Sequence, residues 1–149
     1  MEQLNWVEQG IFLSFLTVCA VRDAKKKSFP VWLLALGTLV PAVILAEKSF
    51  SQGAGIWLPP VLGALPGLGL YLAGRLFPGS VGSGDAWLMA DTGLFLGWEK
   101  NLILWWIAST LAALAGGILL ITGKGSRKTR LPMAPFVLAG YVLLGSGPL

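Results

Sequence analysis

Six apolar blocks, separated by charged or glycine- and proline-rich breaks, leave few folds open to this chain. They run from about Trp6 to Val21, Phe29 to Ala46, Gly55 to Phe77, Ala86 to Trp98, Leu102 to Thr122 and Leu131 to about Leu144. A helix needs about 20 apolar residues to cross the ~30 Å hydrocarbon core of a bilayer. The fourth block has only 13 residues and reaches about 20 Å at ~1.5 Å per residue. It is expected to be thinly embedded or extended by its flanks. Composition agrees with a membrane setting. Of 149 residues, 55% are hydrophobic and 12% charged, against about 25% charge in ordinary soluble domains. A soluble fold this small could not hide so much apolar surface. The expectation is one all-α domain over residues 1–149, a polytopic membrane protein built as a bundle of about six transmembrane helices.

Charge orients the bundle. Nine of the eleven basic residues fall in the first, third and fifth loops: Arg22, Lys25, Lys26, Lys27, Arg75, Lys124, Arg127, Lys128 and Arg130. Only Lys48 and Lys100 fall on the other side. Positive charge marks cytoplasmic loops, so those three loops are expected in the cytoplasm and both termini outside. Met1-Glu2-Gln3 carries no positive charge, which argues against a cleaved signal peptide. The net charge of +4 reads as loop charge rather than nucleic-acid binding. The Lys25–Lys27 and Lys124–Arg130 clusters read as topology signals and attractors of anionic lipid.

The chain has one cysteine, Cys19, and no histidine. That excludes an intrachain disulfide, a CxxC pair, His-dependent triads and His-bearing zinc sites. Cys19 reads as a packed small residue. Phosphate loops, metal-ligand spacings and nucleic-acid modules are missing too. No metal, cofactor or nucleic-acid partner is expected.

The acidic residues carry the chemistry. Glu2, Glu8, Glu47 and Glu99 fall on the outer side, where water can reach them. Asp23, Asp85 and Asp91 fall at cytoplasmic span ends or within a span. Carboxylates there are costly and point to function. Asp23 closes the first block and Asp85 opens the fourth, so the two share a depth. Should those helices be neighbours, the carboxylates converge and hold one proton between them. One then activates water while the other supplies a proton, with no metal, histidine or thiol. The plainer readings are a solvated Asp23 beside its lysines and an Asp85 that caps a helix. Asp91 lies six positions after Asp85, about 240° around a helix. It reads as a third polar group in the bundle or a partner for a basic side chain. In Gly82-Ser83-Gly84-Asp85 the glycines clear side chains where a backbone bends and a substrate strand could dock.

These segments resemble the prepilin peptidases, polytopic aspartic proteases that process type IV prepilins and pseudopilins. Asp23-Ala24-Lys25-Lys26-Lys27-Ser28-Phe29-Pro30 is similar to that family's first motif. Gly82-Ser83-Gly84-Asp85, with Leu88 and Gly93-Leu94-Phe95-Leu96-Gly97-Trp98, is similar to its GxGD motif and following helix. Leu131-Pro132-Met133-Ala134-Pro135-Phe136 looks like its closing Pro-x-x-Pro-Phe segment. The resemblance implies that Asp23 and Asp85 are the catalytic pair; Gly82, Ser83 and Gly84 are expected to contact substrate on the backbone clearance given above. The implied activity is removal of a short leader from a prepilin-like membrane precursor, in the plasma membrane, near the cytoplasmic face. The sequence departs from the family pattern at Trp87, where Lys is frequent, at Val31, where Asn is common, and at Asp91, where a small apolar residue is usual. With one cysteine and a start close to the first span, the chain looks like a compact member without the N-methyltransferase domain. Two alternatives share parts of the pattern: a presenilin- or signal-peptide-peptidase-like intramembrane protease, and an inactive scaffold of a pilus or secretion assembly.

Three smaller features complete the reading. Gly63/Gly67 and Gly93/Gly97 have the spacing of close helix contacts, expected within the bundle rather than in a homodimer. Trp57, Trp98, Trp105 and Trp106 are expected as outer-interface anchors. The prolines of the third block suggest kinks satisfied by neighbouring helices or water.

Overall fold

The computed structural model describes residues 5–26, 30–77, 82–123 and 131–145. Among them only helices occur: α1 (Trp6–Lys26), α2 (Val31–Gln52), a 3-10 turn (Ala54–Trp57), α3 (Leu58–Leu76), α4 (Ser83–Ile121) and α5 (Ala134–Gly145). Lys27, Ser28 and Phe29 of the first motif, the Lys124–Arg130 cluster, Glu2 and the Met1–Gln3 start lie outside the described residues.

The all-α expectation holds, and the count of crossings is coarser than the sequence suggested. Three stretches are long and apolar enough to cross a membrane, Val31–Ser51, Gly55–Leu76 and Ser83–Ile121, and Ala134–Gly145 is a shorter apolar helix. Outward faces are greasy: Leu39, Val43, Leu65, Leu72, Leu114 and Ile118 are all exposed. Such a surface would drive aggregation in water and suits hydrocarbon, where helices satisfy their own backbone groups. This is a membrane protein.

α4 is not straight. Gly97 adopts φ 75 and ψ 176, a break inside the helix. Side chains on either side of it then meet. Thr92 Oγ1 donates to Asn101 Oδ1 at 2.7 Å, Asn101 Nδ2 donates to the Met89 carbonyl at 3.1 Å, and Trp105 Nε1 donates to Thr92 Oγ1 at 3.0 Å. In a continuous helix, partners 9 to 13 positions apart would be separated by about 13–20 Å. The arm 98–121 therefore folds back on the arm 83–96. The fourth and fifth apolar blocks are these two arms. The short block is extended by its flank to Ser83, and it is buried on nearly every side, from Ala86 through Phe95. A helix apolar all round belongs in the middle of a bundle.

α3 packs on this central arm without side chains between the backbones. A Cβ placed on Gly63 would meet the Gly93 carbonyl oxygen at 2.5 Å, and one on Gly67 would strike the backbone of Ala90. The two glycine pairs thus work inside the bundle. The core gathers Phe12, Leu16, Cys19 and Ala20 of α1, Leu33 of α2, Leu88, Met89, Phe95, Leu104, Trp105 and Ala108 of α4, and Ala134 and Val137 of α5. Phe12 stacks near Phe95 at 4.7 Å and meets Tyr141 edge-on at 4.8 Å. Cys19 is buried and free, a packing residue.

Two expectations need correction. Trp105 is no interface anchor. It is buried, and its indole N–H is used by Thr92. Glu8 is not bathed in water. It is buried, 2.8 Å from Lys48 Nζ, and accepts from the Asn5 amide. A charge removed from water needs a partner, and α2 supplies it. Trp98 and Trp106 are exposed.

Candidate active site

Asp23 ends the buried stripe of α1. Phe12, Leu16, Cys19 and Asp23 follow one another at helical spacing, so the carboxylate lies on the core-facing side and is only 5% exposed. Its neighbour Arg22 turns elsewhere, with its guanidinium 5.5 Å from the Trp32 ring centre. The solvated-partner reading of Asp23 fails on that burial. The Asp23 Oδ2 accepts a hydrogen bond of 2.9 Å from the backbone N–H of Ala134, in the first turn of α5.

Asp85 sits in the first turn of α4, where a negative charge suits the helix dipole. The capping position belongs to Gly82, and no side chain caps this helix. Asp85 is therefore left free of the plain N-cap role. It is partly exposed. Asp23 and Asp85 stand on helices far apart in the chain, and α5 packs against both of those helices. Cys19 lies one turn deeper on the same helix face as Asp23 and is fully buried.

Gly82 and Ser83 are exposed and Gly84 is half-buried, so the start of α4 leading into Asp85 faces outward. A Cβ on Gly82 would come 3.1 Å from Asp85 Oδ2. Gly82 thus clears space for the carboxylate of its own motif, a closer role than the substrate clearance read from sequence.

Asp91 lies deeper along α4 and is fully buried. Thr38 Oγ1 donates to its Oδ1 at 2.8 Å, while Oδ2 has no hydrogen-bond partner. It presses against Gly37, where a Cβ would clash with the carboxylate. Asp91 is a further buried polar group of the bundle and has no basic partner among the described residues. Trp87 packs against Tyr71 at 5.6 Å. The contact to Asp23 that side-chain reasoning missed is the Ala134 amide, because a backbone N–H has no signature of its own. The Pro-x-x-Pro frame around it was the available signal.

The model of the type IV leader peptidase family matches residues 10–121. That stretch contains both aspartates and both glycine pairs. A curated relative, the prepilin leader peptidase/N-methyltransferase of Bacillus subtilis (strain 168), is 30% identical over 135 residues, covering 89% of this chain and 52% of that protein. The chain spans about half the length of this relative. No solved structure matches it significantly. A family match across most of the chain, and a relative of this identity along nearly all of it, agree: this chain belongs to the type IV leader peptidase family.

Proposed function

We propose that the protein is an aspartic endopeptidase that removes the short leader from type IV prepilin-like membrane precursors. Asp23 and Asp85 hold one proton between them and work on a single water. The ionised member takes a proton from water as the oxygen attacks the scissile carbonyl carbon. The protonated member gives its proton to the carbonyl oxygen. Collapse of the tetrahedral centre breaks the C–N bond, the amine leaves with the proton taken from water, and the second carboxyl recovers its own. Gly82, Ser83 and Gly84 form the outward-facing strip against which the substrate backbone lies.

The observation that supports this reading is an aspartate buried on the core face of α1, Asp23, with a second, Asp85, in the first turn of α4, in a member of a peptidase family. The six helical arms, α1, α2, α3, the two arms of α4 and α5, fit a bundle of six crossings in the plasma membrane. The basic residues of the first, third and fifth loops of the sequence favour a position for the aspartates near the cytoplasmic face.

The test is co-expression with a prepilin-like precursor and mass measurement of the product. The reading requires a product shortened by its leader, with the apolar segment intact. A precursor of unchanged mass beside folded, inserted protein contradicts it, and a cut within the apolar span points instead to an intramembrane protease.

A further inference from the structure

The two aspartates are not equivalent in this fold. Asp23 is buried and receives the Ala134 N–H at 2.9 Å, a bond between residues 111 positions apart. Asp85 is more exposed and stands free of any capping hydrogen bond. The donor is also unusual. Ala134 is the first residue of α5 and Pro135 the second, and proline has no N–H to give. Phe136 and Val137 both send their amides to the Met133 carbonyl. Ala134 therefore holds the one amide of that turn not committed to the helix itself, and it is aimed at Asp23. First-turn amides and the helix dipole favour a negative partner, and a hydrogen bond to a carboxylate favours its charged form.

We propose that the α5 N-terminus, acting through the Ala134 amide, keeps Asp23 as the charged member of the pair. Asp23 is thereby the general base, and Asp85 carries the shared proton and is the general acid. This rests on the peptidase reading above. Ala134 is a positioning residue, since its amide touches Asp23 and not the reacting atoms. The proposal gives the Pro132–Phe136 segment a physical role. Pro135 helps leave one amide unpaired, and α5, packed between α1 and α4, brings it to the carboxylate.

Among the described residues, the ionisable groups around Asp23 are few. Asp85 opens α4, Cys19 lies one turn back on the helix of Asp23 and Asp91 lies deeper along α4, while Lys25, two positions on from Asp23, is exposed. Arg22 is engaged with Trp32 of α2. The first turn of α5 contributes no ionisable side chain. Among the described residues, nothing but the Ala134 amide offers Asp23 a hydrogen bond.

The test removes that donor. Replacing the 133–134 amide by an ester, through suppression with the hydroxy acid analogue of alanine, deletes the N–H and keeps the side chain. The ester also weakens the Met133 carbonyl that accepts from Phe136 and Val137, so Ala134→Pro, which keeps that carbonyl an amide, is read beside it. The same suppression route inserting alanine gives the matched control. Ala134→Pro deletes the N–H genetically at a helix position where proline is tolerated. Cleavage of the precursor used above is followed from pH 4 to 9, with folding checked by circular dichroism. The base must be ionised to work, so losing its donor moves the acid limb of kcat/KM to higher pH. The expected shift is about one to two pH units, with a lowered plateau and little movement of the alkaline limb. A folded ester protein whose profile overlies the control overturns the proposal. So does one that cleaves at no pH, because the amide then holds shape and not charge. A wild-type protein that never cleaves would instead remove the peptidase reading itself.

Discussion

Thr92 and Asn101 share a 2.7 Å hydrogen bond across a turn that the chain makes at Gly97. The Asn101 amide also reaches the Gly63 carbonyl at 2.8 Å, so one side chain ties both arms of α4 to α3. Gly97 sits at φ 75 and ψ 176, a region open essentially to glycine. Gly97→Ala is expected to cost about 1–3 kcal/mol through backbone strain, although a Cβ there would find room at 3.6 Å from Pro59. Asn101→Leu strands buried polar groups and should cost a similar ~1–3 kcal/mol. Thermal unfolding in detergent measures both.

The glycine contacts between α3 and α4 give a second prediction. Gly93→Ala drives a methyl into the backbone of Gly63 and Ala64, so the helices must part and the unfolding temperature must fall. Gly10→Ala, where nothing lies within 4 Å, should be neutral or stabilising by up to ~1 kcal/mol. Neither change should alter the oligomeric state, because the Gly63/Gly93 contact is internal. Size-exclusion chromatography with light scattering checks that point.

Glu8 and Lys48 hold α1 to α2 at the end remote from the aspartates, 2.8 Å apart and largely buried. Removing one partner leaves the other charge unpaired, which costs more than losing both. Glu8→Gln and Lys48→Met should each destabilise by a few kcal/mol. The double variant should recover much of that loss, a coupling that a double-mutant cycle in thermal unfolding reads directly.

Asp91 should be dispensable for cleavage. Its Oδ2 is unpaired, and Thr38 keeps a second acceptor, the Leu34 carbonyl at 3.0 Å. Asp91→Ala loses one hydrogen bond and one unsatisfied buried oxygen, with a net stability change of about 1 kcal/mol or less. Cleavage rates within a few-fold of wild type are expected in the precursor assay. A loss approaching that of Asp23→Asn would mean that the deeper carboxyl takes part in the chemistry.

Much of this fold was legible because charges interrupt the apolar runs where helices end. Asp23 and Asp85 stood out for the same reason: acids are expensive at a membrane boundary. The stripe of Phe12, Leu16, Cys19 and Asp23 repeats at helical spacing, so the inward aim of Asp23 was present in the pattern. What stayed hidden depends on contacts between distant segments. Glu8 looked hydrated because its partner lies 40 positions away. Trp105 looked like an anchor because tryptophan suits membrane interfaces, yet its N–H found Thr92 in the core. Glu99 and Lys100 marked the neighbourhood of the α4 reversal, but the turn itself falls on Gly97, within the apolar run. The Ala134 amide left no trace beyond the prolines around it.

The central claim is that Asp23 and Asp85 act together on one water, and single-turnover cleavage by Asp23→Asn and Asp85→Asn tests it most directly. Each substitution removes one half of an acid–base pair and changes little else in shape. Losses of about 10²–10⁴-fold are expected from each, in protein that remains folded and inserted, with little further loss in the double variant because the pair works as a unit. Either single variant cleaving the precursor at the wild-type rate would contradict the account.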